Sequence, residues 1–138
     1  MMEKSKTADT LQAPRQSAYG LTGLFSYSVV GQEGAESHYR LEVDGAHGVF
    51  RGHFPGFKIV PGVCLLQMLA CCLSDHLGRP VEWVSIPNCK FTAPVRPETS
   101  GPLDLYFSLP RAGRVQARML CTGSVVASMK IDYQECGL

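Results

Sequence analysis

The sequence predicts an α+β domain in which an antiparallel sheet of five or six strands surrounds a single helix. Three observations lead there. Residues 63–73 (VCLLQMLACCL) form an apolar run broken only by Gln67. Two segments before this run and about four after it carry the aromatic, β-branched and alternating character of strands. A stretch rich in glycine and proline separates the first pair of strands from the helix, too irregular for either regular structure.

Taken in order, residues 24–30 (LFSYSVV) and 37–43 (SHYRLEV) read as a hairpin, with 31–34 (GQEG) as its turn. Residues 44–61 hold Gly45, Gly48, Gly52, Gly56 and Pro55 and end in Pro61. So long a loop inside a small domain points to function. Pro61-Gly62 opens a helix that runs to about Leu77, where Gly78 and Pro80 end it. Being apolar all round, the helix is expected to be enclosed all round, and it is too short to span a bilayer. Residues 82–86 and 89–95 flank Pro87-Asn88 and suggest one long strand with a bulge or bend. Residues 103–109, 115–121 and 125–133 complete the sheet, the last two joined by Thr122-Gly123-Ser124.

The chain of 138 residues suits one domain. Residues 1–18 are polar with no apolar core, and are expected to be a flexible tail ahead of a domain at 19–138. A net charge of +1, without runs of like charge, argues against nucleic acid or an anionic membrane as partner. Of the six cysteines, Cys64, Cys71 and Cys72 sit inside the apolar run, where cysteine acts as a small hydrophobe. With no CxxC pair and no Cys/His spacing suited to zinc, no metal site is expected. Free thiols imply a reducing compartment, and hence the cytoplasm.

The loop and helix start carry a motif. Gly52-His53-Phe54-Pro55-Gly56, then Val60-Pro61-Gly62-Val63 and an apolar helix, resembles the signature of the 3-hydroxyacyl-acyl-carrier-protein dehydratases. Lys90-Phe91-Thr92-Ala93-Pro94-Val95, followed by Arg96-Pro97-Glu98, is similar to that family's second conserved strand and turn. The resemblance covers roughly residues 43–133. It implies a hot-dog fold, a curved antiparallel sheet wrapped around one long helix. It further implies His53 as the catalytic histidine, Gly62 as the helix glycine whose N–H binds the thioester carbonyl, and Gln67 at the place of the catalytic acid. Phe54, Pro61 and Val63 are implied to line the acyl tunnel. Homodimers with active sites at the subunit boundary, an acyl carrier protein as partner, and a phosphopantetheine arm belonging to the substrate follow from the same resemblance. No cofactor held by the protein is expected, since the chain lacks a phosphate-cradling glycine motif.

The residue chemistry agrees with these roles. Removing water from a 3-hydroxyacyl thioester requires abstraction of an α-proton and departure of the hydroxyl. A helix N-terminal amide stabilises charge on the thioester oxygen, and glycine admits a close approach. An imidazole titrates near neutrality and suits the proton transfer. His38, His47 and His76 lack such a context and read as structural.

Two positions depart from the family pattern. Gln67, fourteen residues after His53, replaces an acid, and a carboxamide cannot donate a proton to a leaving hydroxyl. Losing one acid–base partner costs about 10² to 10⁴ in rate. Lys58 stands where the family commonly has proline. Three readings therefore stay open: a dehydratase in which His53 carries both proton transfers, an acyl-thioesterase on the same fold, and a non-catalytic acyl-binding or heterodimer partner subunit.

Overall fold

A computed structural model describes residues 5–7, 23–50, 58–98 and 101–136. Among them are seven strands, one α-helix and a short 3-10 turn, Gly48–Phe50. The strands are β1 (Ser5–Thr7), β2 (Phe25–Glu33), β3 (Glu36–Val43), β4 (Val81–Phe91), β5 (Leu103–Arg111), β6 (Arg114–Cys121) and β7 (Ser124–Glu135), and the helix is α1 (Gly62–Leu77). They form one sheet in the order β1-β2-β3-β5-β6-β7-β4, antiparallel throughout. The short β1 pairs Ser5 with Ser28, inside the segment expected to be a tail; the rest of that segment lies outside the described residues.

Turn chemistry sets the hairpins. Thr122 and Gly123 both have positive φ, 47° and 85°, as a two-residue turn matched to strand twist requires. The first hairpin differs from expectation. β2 continues through Gly31 to Glu33 because a bulge between Val29 and Gly31 absorbs the glycine, and the turn falls at Gly34, with φ 61°. Pro110 likewise sits within β5 at a register shift between Ser108 and Arg111, where no ladder N–H is missed.

The helix begins and ends where the sequence places it. Pro61 is the extended N-cap, and the C-cap Gly78 adopts the left-handed conformation with its N–H bonded to Ser74 O at 2.8 Å. The concave face of the sheet packs on α1. Leu105, Met119 and Ala127 align across β5, β6 and β7, and meet Met68, Leu69 and Leu73 in one buried core.

β4 is a single long strand, as the Pro87-Asn88 signal predicts, with register shifts on either side of Ser85. It stops at Phe91 and not at Val95. Thr92 and Ala93 both turn their N–H groups to Val126 O, and Val95 O instead accepts the N–H of Val60 at 2.8 Å. This departure from the sheet carries residues 92–95 past the start of α1.

The expectation of a fully enclosed helix is corrected: Val63 is 65% exposed and Gln67 is half-buried. The helix is apolar on that side without being covered by its own sheet. Val84, Ile86 and Phe91 on β4 are also exposed, and β4 ends the sheet order, so one of its edges pairs with no strand among the described residues. None of the six cysteines forms a disulfide among the described residues, and four of them are buried. No described helix is long and apolar enough to cross a membrane.

Candidate active site at the start of the helix

An open cleft of about 360 Å³ lies where the chain enters α1. Residues 59–62 form one wall, residues 91–95 the other, and Leu65 the floor. The Val60–Val95 hydrogen bond ties the two walls together at one end. Among the described residues no charged side chain lines the cleft.

Its polar feature is backbone. Pro61 O accepts from Cys64 N at 2.9 Å and Leu65 N at 3.3 Å, closing the first turn. The amides of Gly62 and Val63 have no carbonyl four residues back within the helix, and the N-cap residue, a proline, provides no side-chain acceptor. Amide donors at the positive end of a helix dipole, beside an apolar wall, suit a neutral carbonyl that gains negative charge during reaction. A side chain at position 62 would have to displace the Phe91 ring. A Cβ there would stand 2.7 Å from Phe91 Cε2 and 2.8 Å from Cζ, closer than real contacts allow.

The remaining sequence-derived residues distribute as follows. Pro61 lines the cleft and Val63 does not, since its side chain points to the exposed side of α1. Gln67, one turn beyond Val63, lies on the same side, and its amide makes no hydrogen bond among the described residues. His53 and Phe54 lie outside the described residues. Cys64, next to the cleft, is no nucleophile: burial pushes its thiol up to about 11, so it is protonated near neutrality.

Lys58 does more than the sequence indicated. Its Nζ donates to Gly45 O at 2.8 Å and lies 3.8 Å from Glu98 Oε2, while Gly45 packs close to Pro97. The lysine thus fastens the start of the long loop to its end and to the segment after β4. Lys58→Met is expected to lower stability by about 1 kcal/mol, chiefly through the lost bond to the carbonyl, because an exposed ion pair adds little. Urea unfolding checks this, with Lys58→Arg retaining most of the stability.

A polar cluster missed by sequence reasoning joins α1 to the sheet about 20 Å along the axis from Gly62. Tyr27 Oη donates to Asp75 Oδ1 at 3.3 Å and Tyr39 Oη to Oδ2 at 3.0 Å. Burial, reinforced by Asp75, holds both phenols well above the usual tyrosine range. On the convex face His38 is buried, stacked on Tyr106 at 4.1 Å with Nε2 2.8 Å from Asp104. Next to it Arg118 lies over the Tyr106 ring and pairs with Glu36.

A long antiparallel sheet packed on one helix defines the hot-dog class. Within it the chain belongs to the ApeI-like dehydratase family, whose profile, described as ApeI dehydratase, matches residues 30–130. The dehydratase heterocomplex ApeI:P from Xenorhabdus doucetiae superposes with a TM-score of 0.62 and 25% identity, over 72% of this chain and 87% of that one. A 3-hydroxyacyl-[acyl-carrier-protein] dehydratase FabZ from Chlamydia trachomatis is 33% identical over 95 residues, 61% of this chain. The chain spans less than two thirds of the length of the curated relatives it matches first, 62% of that one. A hypothetical thioesterase with coenzyme A from Streptococcus pneumoniae has a TM-score of 0.59 at 9% identity, over 80% of this chain and 86% of that one, a likeness of fold alone.

Proposed function

We propose that the chain binds acyl thioesters presented on a phosphopantetheine arm and eliminates water from 3-hydroxyacyl chains. The observation that carries this reading is the Gly62 amide at an uncapped helix start, set in an apolar cleft. The family and its 3-hydroxyacyl-carrier-protein relatives support the substrate class. In the reaction the thioester oxygen takes the Gly62 N–H and His53 removes the α-proton. The C–H electron pair forms the new double bond as the C3–O bond breaks. The hydroxyl leaves with the proton returned by His53, and water departs. Gln67 cannot supply that proton and instead orients the hydroxyl through its amide.

The exposed apolar flank of α1, and the edge of β4 that pairs with no strand among the described residues, would accommodate a second subunit. A homodimer meets this need. A related partner that supplies the missing acid is the second reading, favoured by Gln67 and by the heteromeric ApeI:P assembly. The carrier protein would reach the cleft from outside this flank. The test uses the full chain and a 3-hydroxybutyryl-pantetheine thioester. A conjugated enoyl thioester with its thioester intact is the expected product. Release of free thiol would mean hydrolysis, and no turnover by a purified symmetric dimer would mean a binding subunit.

A further inference from the structure

We propose that the Phe91 ring is a movable cover over the Gly62 amide, an inference that rests on the thioester reading of that amide. The ring edge fills the space a side chain at residue 62 would take, with Cε2, Cζ and Cδ2 at 2.7, 2.8 and 3.2 Å from the Cβ position. In a helix the Cα–Cβ bond tilts toward the N-terminus, so this space lies at the mouth of the helix, beside its leading amides. The ring therefore stands beside the approach a carbonyl would take to those donors.

Phe91 is not locked in place. It is the last residue of β4, paired with Ala127, and the chain leaves the sheet directly after it. It is 48% exposed in the single chain, so swinging the ring out of the cleft gives up little packing within its own subunit. Core aromatics such as Phe107, 1% exposed, have no such freedom. With the cleft empty the ring keeps water from the Gly62 donor. When a thioester enters, the ring swings from the glycine and packs on the carbons next to the carbonyl. Excluding water in this way strengthens the donor at the moment charge develops.

Amide exchange and a ligand titration, both by NMR on the full chain, test this. In Phe91→Ala the Gly62 and Val63 amides should exchange at least about tenfold faster, while the core amide of Leu73 keeps its rate. Phe91→Leu should fall between, which separates loss of cover from loss of fold. Unchanged exchange at Gly62 in both variants overturns the proposal. Adding butyryl-pantetheine thioester to the wild-type chain should shift the Gly62 amide and the Phe91 ring resonances together. A Gly62 response without a ring response overturns the cover and keeps the thioester site. No response at Gly62 overturns the thioester site itself, and with it the ring's proposed role in substrate entry.

Discussion

Gln67→Glu is expected to raise the rate of 3-hydroxyacyl thioester dehydration by about 10² to 10⁴, the usual worth of a general acid. That range corresponds to roughly 3 to 5 kcal/mol of barrier. The substitution is nearly isosteric, and the side chain is half-buried with no hydrogen bond among the described residues, so no existing contact is broken. A carboxyl on that face of α1 restores a proton donor for the departing hydroxyl, leaving His53 to act on the α-carbon alone. Steady-state kinetics with 3-hydroxybutyryl-pantetheine thioester checks it, and the gain should fall in kcat. A flat rate with thioester binding intact would point to a binding subunit or to a partner that supplies the acid.

Asp75→Ala is expected to be the most destabilising single change in the helix, at about 2 to 5 kcal/mol. The loss of packing is small. The cost comes from Tyr27 and Tyr39, both 2% exposed, whose hydroxyls would lose the acceptor that now takes both. Buried donors without acceptors carry their full desolvation penalty, whereas removing donors and acceptor together costs far less. The triple variant Asp75→Leu, Tyr27→Phe, Tyr39→Phe should therefore recover most of the loss. Thermal unfolding of the two variants measures the difference, on the order of 10 °C for a domain of this size.

The elements that local patterning governs were legible from the sequence. The helix runs from Gly62 to Leu77 between a proline and a glycine that mark its ends, and Pro87 announces an irregular β4. The dehydratase motif singled out Gly62, and the structure sets that residue at a cleft. Contacts made at long range were not legible. Asp75 lies 48 and 36 residues from its two tyrosines, and periodicity assigns a face to each residue without saying which distant strand it meets. The role of Lys58 was not legible either, because its partner is a backbone carbonyl, which leaves no mark in side-chain sequence. The uncovered side of α1 was hidden for a different reason. An apolar face signals burial, but not whether the chain's own sheet or another subunit provides it.

In the proposed reaction His53 and the Gly62 donor act on one thioester. The most direct measurement compares wild type with His53→Ala in the hydration of a 2-enoyl-pantetheine thioester, with Gly62 amide shifts recorded in both. Hydration should fall by about 10² to 10⁴ in the variant while the thioester still perturbs Gly62. Undiminished hydration in His53→Ala would contradict the proposed reaction.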